Sequence, residues 1–462
     1  MDGRRALERA AELGIEYVES VPERPVAPAA SLEELRETLD LLLPEAPTDA
    51  VTVVEELARD VEPGLTQMGG GRYFGFVIGG SVPAALAADW LTSAWDQNAG
   101  LALPTPAAAV VEEVAGRWVK ELLALPTQAS FAFVTGCQMA HATALLAARH
   151  HVLREAGHDV EQDGLIGAPP ITVVAGAKRH GTLDRALRFV GLGTSCVHPI
   201  AVDDQGRMLI DELRAELART TGPTIVCSQA GEVNTGAFDD IDAVADLAQE
   251  HGAWHHVDGA FGLWAAASPA LRHLTAGVER ADSWATDAHK WLNVPYDNGI
   301  AFCAHPESHQ AALGIRSAYL LFADDAREPL DWTPEHSRRA RAFTVYAAVR
   351  SLGRSGVADL VERCCARARD IAAGLAELPG CEILNDVVLN QVLLRFEDDE
   401  ATDAVVAAVQ ASGDAWMGGT TWDGRRAIRI SVSNWQTSED DVERTVAAFS
   451  AARSATAAST SR

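Results

Sequence analysis

The chain has 462 residues, enough for one large domain with a smaller companion, or for two to three average domains. Its 38 basic residues face 65 acidic ones, and the net charge of -27 argues against nucleic acid as a partner, since no long basic stripe offsets it. An apolar content of 48%, arranged in periodic segments, excludes disorder for the bulk of the chain.

The charged N-terminus, Met1 to Glu12, lacks the apolar core of a secretory signal. The longest apolar stretch, Phe74 to Leu91, is broken by Gly79, Gly80 and Pro83 and falls short of a membrane span. The seven cysteines are scattered without metal-ligand spacing, which favours reduced thiols, no structural zinc and a cytoplasmic setting.

In chain order, helical patterns run from Ser31 to Leu42, where Ser31 and Glu34 fit a capping box, and from Ala50 to Asp60. Proline-rich stretches separate them, so residues 1–70 read as an arm rather than a domain. Short apolar runs then alternate with helical segments. Ser130–Val134, Ile171–Val174, Thr224–Ser228, Trp254–Asp258 and Gly299–Cys303 read as buried strands. Met139–Ala156, Thr182–Val190 and Asp239–Glu250 read as helices between them. This alternation predicts an α/β fold with a largely parallel sheet, whose ligands sit at the carboxyl ends of its strands. We assign this large domain to residues 71–336. Two helices (Arg339–Leu352, Ala358–Leu378), two strands (Gln391–Phe396, Ala427–Ser433) and a final helix near Glu439–Ala451 predict a smaller α/β domain at 337–451. A flexible tail is expected at 452–462.

Several predicted strand ends carry chemistry. Val134-Thr-Gly-Cys-Gln-Met-Ala-His141 leads from a strand into a helix, where free N–H groups favour a phosphate. It lacks the dinucleotide and P-loop signatures. His180 follows the next strand, where a surface or capping role is the simpler reading. Asp258 ends an apolar strand and needs a cation or several donors if it is buried. Lys290 stands in Thr286-Asp-Ala-His-Lys-Trp-Leu-Asn293, in a chain that otherwise uses arginine. Arginine supplies charge but cannot form a Schiff base, whereas a partly desolvated lysine with a lowered pKa can. Lys120, in a charged helical segment, and Lys178, beside Arg179, suit solvent-facing roles. A phosphate cradle, an imidazole, an acid for a pyridine nitrogen and an amine together match the needs of pyridoxal 5'-phosphate. A metal site built on His255, His256 and Asp258 is disfavoured, because strand alternation points His255 and His256 apart.

Arg72-Tyr-Phe-Gly-Phe-Val-Ile-Gly-Gly-Ser81, His256-Val-Asp-Gly-Ala260, Ala281-Asp-Ser-Trp284, His289-Lys-Trp-Leu292 and Arg429-Ile-Ser-Val-Ser-Asn-Trp435 carry a family resemblance. Residues from about 70 to 450 resemble fold type I pyridoxal-phosphate enzymes, specifically the group II amino-acid decarboxylases. The resemblance implies that Lys290 carries the cofactor, Asp258 pairs with its pyridine nitrogen and His180 stacks on its ring. It places Ala260 on the opposite face, His289 near the phosphate and lysine, Cys137 and Gln138 at the phosphate turn, and Ser337 where a partner subunit or loop reaches the phosphate. It implies decarboxylation of an L-amino acid by an obligate homodimer that binds no nucleic acid and no membrane.

In relatives a mobile loop, usually with a tyrosine, delivers a proton to Cα. The matching segment, Leu320 to His336, has no tyrosine. Trp332 is its nearest aromatic, and Tyr319 stands just before it. Oxidative deamination to an aldehyde, or aminotransfer, is therefore an alternative outcome. A non-catalytic fold relative is disfavoured, because Lys290, Asp258 and His180 are all present. Phe74, Phe76, Ile78 and Trp95 predict an apolar substrate wall for a neutral aromatic or aliphatic amino acid, unless they pack a subunit interface. Arg72 is an alternative partner for an acidic substrate.

Overall fold

A computed structural model describes residues 3–317, 320, 322 and 326–460. Seven strands form the large sheet: β1 (Ser130–Val134), β2 (Thr172–Gly176), β3 (Val197–Ile200), β4 (Thr224–Gln229), β5 (Trp254–Asp258), β6 (Ser283–Asp287) and β7 (Gly299–Cys303). Their order is β1-β7-β6-β5-β4-β2-β3, and only β7 runs antiparallel to its neighbours. The predicted α/β fold with a largely parallel sheet is the one observed.

Alternation along each strand assigns its faces. On β1, Phe131 and Phe133 enter the main core, whereas Ala132 and Val134 turn to the other side and meet Cys137 and Ala140. Those small side chains let the helix Cys137–Glu155 lie close to the sheet. On β5, Val257 joins the main core, while Trp254 packs with Leu145 and Leu153 of that helix. Two strands are absent from the apolar pattern for opposite reasons. β3 is an edge strand with His198 and Pro199 exposed, so it carries no apolar run. β6 is wholly buried but reads Ser-Trp-Ala-Thr-Asp, its Ser283 and Asp287 taking partners from other elements.

The second sheet is entirely antiparallel, in the order β10-β11-β9-β8, with β8 at Glu382–Ile383, β9 at Gln391–Arg395, β10 at Gly418–Trp422 and β11 at Arg425–Ser431. A long helix, Ala342–Ala376, joins the two sheets and breaks at Gly353, whose φ of 65° separates the two helical patterns of the sequence. One apolar cluster runs from Phe133 and Trp284 through Val345 and Leu360 to Leu394 and Ile430, so both sheets share a core. The last helix opens at Glu439 and continues to Thr460, past the Ala451 expected from sequence. A helix at Gly3–Ser20 also precedes the two read in the arm; the capping box at Ser31 is present. Among the described residues no helix is long and apolar enough to cross a membrane.

Buried histidines away from the strand ends give the fold an acid-sensitive side. Burial, with Arg327 nearby, pushes His309 down to about 3, and burial pushes His255 down to about 4. The unfolded chain titrates these rings near 6.5, so below that pH it binds protons that the native state refuses. Each ring therefore removes about 1.4 kcal/mol of stability per pH unit between roughly pH 6.5 and its native value. Asp239, pushed up to about 6 by burial, opposes this slope by one proton. We expect thermal stability to fall on acidification through this window, and His309→Gln to flatten the decline. An unaltered slope in His309→Gln would refute the assignment.

Candidate active site

The carboxyl ends of β1, β2, β4, β5 and β6 open on one cavity of about 220 Å³, lined by Cys137, His180, Gln229, Asp258, Asp287 and Lys290 among others. A parallel sheet places loop-borne side chains at that edge, as the sequence pattern predicts. Lys290 stands in the turn after β6, with Nζ 3.0 Å from Asp287 Oδ2. The other Asp287 oxygen accepts the Cys137 N–H at 2.5 Å, at the start of the helix Cys137–Glu155, and lies 3.4 Å from His289 Nε2. Burial disfavours charge on Lys290, but Asp287, with Asp258 further off, outweighs it and holds the ammonium above its ordinary range. The lowered pKa expected from sequence is thus corrected. The Asp287 carboxylate, three residues before the lysine, is the cause.

The turn around Lys290 is braced by two segments that carried the family resemblance. A Cβ at Gly79 would stand 1.8 Å from the Lys290 carbonyl oxygen, so only glycine lets the 72–81 segment approach. Asn293 Nδ2 donates to the Ser433 carbonyl at 2.9 Å, and its Oδ1 accepts the Trp435 N–H at 2.9 Å. The small domain thereby grips the lysine turn directly.

Asp258 is buried, with Oδ2 3.4 Å from His141 Nε2 and Oδ1 accepting the Ala260 N–H at 3.2 Å. Burial favours its neutral acid, yet His141, His180 and Lys290 together hold the carboxyl well below the usual range. Cys137 Sγ lies 3.4 Å from His141 Nε2, and burial pushes its thiol up, so it is neutral. His180 has the capping role weighed from sequence, and it also faces the cavity. It caps the helix Gly181–Phe189, Nδ1 meeting Thr182 Oγ1 at 2.7 Å, and its ring lines the cavity. The low-dielectric surroundings push its imidazolium down, favouring the neutral ring.

Gln138, Ala260 and His289 also line the cavity. Gln138 Oε1 accepts from Arg185 at 3.0 Å, while His289 Nδ1 accepts the Asn298 N–H and its ring packs on Tyr296. Ser337 does not line it; it is exposed and receives a hydrogen bond from Asn98 at 3.4 Å.

Other expectations need correction. Phe74 and Ile78 turn into the interior, whereas Phe76 and Trp95 are exposed beside Trp416 and Phe343, so the four do not form one wall. Arg72 is buried and donates to the carbonyls of Pro22, Arg24 and Asp414, tying the arm to the small domain. Lys120 is not solvent-facing: it is buried, donating at 2.6 Å to the carbonyls of Thr127 and Ala129. Lys178 pairs with Asp423 at the surface. Trp332 packs beside His309 and Arg327 and is not among the cavity-lining residues. Tyr319 lies outside the described residues. Sequence reasoning missed Asp287 and His141. The available signals were an acid three residues before the lysine, and a histidine four residues after Cys137 on one helix face.

Comparison with known proteins agrees with this architecture. Residues 33–397 match the family described as the pyridoxal-dependent decarboxylase conserved domain. The chain is 26% identical to an aromatic-L-amino-acid decarboxylase of Bacillus atrophaeus, covering 94% of this chain and 92% of that one. It is 24% identical to a phenylacetaldehyde synthase of a Rosa hybrid cultivar, covering 92% and 89%. In fold it is similar to Oryza sativa TDC, solved with PLP and tryptamine, with a TM-score of 0.92, 24% identity and 98% of both chains covered. A lysine and an ionised carboxylate, set on one cavity at the strand ends, accord with that match over most of the chain. The protein belongs to the pyridoxal-dependent decarboxylase family and acts on amino acids.

Proposed function

We propose that this protein removes carbon dioxide from a neutral L-amino acid to give the amine, using pyridoxal 5'-phosphate held by Lys290 and Asp258. The observation that carries the reading is the placement of the Lys290 amine and the Asp258 carboxylate on one small cavity beside a helix N-terminus. The donor set fits the cofactor. Lys290 offers a primary amine to an aldehyde, Asp258 an anion to a pyridinium N–H, and the first turn of Cys137–Glu155 backbone donors to a phosphate. When bound, the cofactor supplies an aldehyde carbon and a ring that draws electrons from the substrate Cα.

The protein's own side chains do the rest. Asp258 stays ionised and keeps a proton on the ring nitrogen. His180 and Ala260 would flank the bound ring. Cys137, Gln138 and His289 would hold the phosphate end, and Ser337 would reach it from a partner subunit. Asp287 holds a proton on Lys290, which would let the lysine deliver that proton to Cα without a loop tyrosine. His180 is the other proton carrier within the cavity.

Aldehyde formation is the second reading, favoured by the absence of tyrosine from 320–336 and by the position of Trp332 outside the cavity lining. A panel of amino acids, assayed under oxygen, separates the two. Amine with stoichiometric carbon dioxide and no peroxide is expected. Aldehyde with peroxide, or a keto acid without carbon dioxide, would defeat the primary reading.

We also propose a homodimer. Leu7, Ile15, Leu32 and Leu57 leave apolar surface exposed on the arm, which a second copy would cover. Sedimentation is expected to give twice the chain mass; a monomer at assay concentration would exclude it.

A further inference from the structure

One face of β5 carries Trp254, His256 and Asp258 at alternate positions, running from the amino end of the strand to the cavity. A continuous hydrogen-bonded chain follows that face. Trp254 Nε1 donates to Ser283 Oγ at 2.8 Å, and Ser283 Oγ meets His256 Nδ1 at 2.9 Å. His256 Nε2 meets His141 Nδ1 at 2.8 Å, and His141 Nε2 lies 3.4 Å from Asp258 Oδ2. His141, His256 and Ser283 are fully buried and Trp254 is 2% exposed, so water does not compete for these contacts.

The two ends of the chain decide its direction. The indole N–H is a donor only, and a carboxylate is an acceptor only. With Trp254 filling one of its two lone pairs, the Ser283 hydroxyl donates its own proton to His256 Nδ1, the direction that a carboxylate at the far end requires of neutral rings. His256 then carries its proton on Nε2 and donates to His141 Nδ1. His141 in turn carries its proton on Nε2, which lies 3.4 Å from both Asp258 Oδ2 and the neutral Cys137 thiol sulfur, the carboxylate being the stronger acceptor of the two. Every donor in the series points toward the carboxylate, and such aligned donors polarise one another in a low dielectric.

We propose that Trp254, Ser283 and His256 act as positioning residues that lock His141 as the neutral Nε2–H tautomer, so that Asp258 stays ionised toward the cofactor ring. This rests on the function proposed above and extends it to residues that touch neither substrate nor cofactor. Burial drives His256 well below the ordinary imidazole range, in keeping with a neutral ring inside the chain.

The direct test needs no substitution. Histidine ring nitrogens in the cofactor-free protein, read by long-range proton–nitrogen NMR at neutral pH, should show His141 and His256 neutral and protonated on Nε2. A His141 imidazolium, or a proton on Nδ1 of either ring, would overturn the proposal. Ser283→Ala removes the hydroxyl that sets the direction and should weaken pyridoxal phosphate binding about tenfold, with loss of the Nε2–H signature. Ser283→Thr, which keeps a hydroxyl, should restore both. Unchanged tautomers and affinity in Ser283→Ala would also overturn it. Failure of the wild type to bind the cofactor would instead refute the functional reading, leaving the tautomer measurement to decide the chain.

Discussion

Lys290→Ala is expected to lower turnover by roughly 10⁴-fold or more while leaving the fold intact, because it deletes the one amine on the cavity. Neither remaining lysine can substitute. Lys120 is spent on two backbone carbonyls and Lys178 on Asp423. Lys290→Arg keeps the charge beside Asp287 but not the nucleophile, so it should be as inactive as alanine. Wild-type protein reconstituted with pyridoxal phosphate should show a visible band that borohydride bleaches, with the reduced cofactor recovered by mass spectrometry on the peptide containing residue 290. The band should be missing from both variants. Substantial turnover by Lys290→Ala, or a label on another residue, would remove the lysine from its proposed role.

Asp258→Asn is expected to lower turnover by roughly 10³-fold, about 4 kcal/mol of transition-state stabilisation. Asparagine is nearly isosteric and can keep a contact to His141 and Ala260, so packing should survive. It cannot carry the negative charge that holds a proton on a ring nitrogen. The loss should therefore appear mainly in kcat, with a smaller change in KM. A variant that retains wild-type kcat would show that the carboxylate is structural. Measuring cofactor affinity alongside separates poor loading from slow chemistry.

Both effects depend on how the environment sets charge. Asp258 is buried yet ionised, because the His141 ring N–H and the Lys290 ammonium face it. Lys290 is largely enclosed yet protonated, because Asp287 is 3.0 Å away. Each shift runs against the burial penalty, which marks a site where partners were placed for a purpose other than stability alone.

The strands with apolar runs were legible in the sequence because a doubly covered sheet demands such runs. Ser130–Val134, Trp254–Asp258 and Gly299–Cys303 have the same limits in the structure. β6 was legible only as a strand-like run ahead of Lys290, without limits, although it is fully buried. Its Ser283 and Asp287 are polar, and their burial is offset by Trp254, His256 and the Cys137 N–H, distant in sequence, and by His289 and Lys290 of the following turn. The substrate wall failed for a related reason. Phe74 and Phe76 are both apolar and two residues apart, yet one is 1% exposed and the other 62%. Phe76 has a φ of 50°, so strand alternation does not hold there.

Composition began as an imbalance of 38 basic against 65 acidic residues, and its three lysines supplied a short list for a reactive amine. Local pattern added the α/β class, the strand ends as the place for a site, and Lys290, Asp258 and His180 as its candidates. These follow from sequence alone because period, turn chemistry and residue type are local properties. The charge states and the company of those residues are not local. That His141 meets Asp258, that Asp287 also takes the Cys137 N–H, and that Trp254 and Ser283 stand behind them became visible only when separate strands and a helix were brought together.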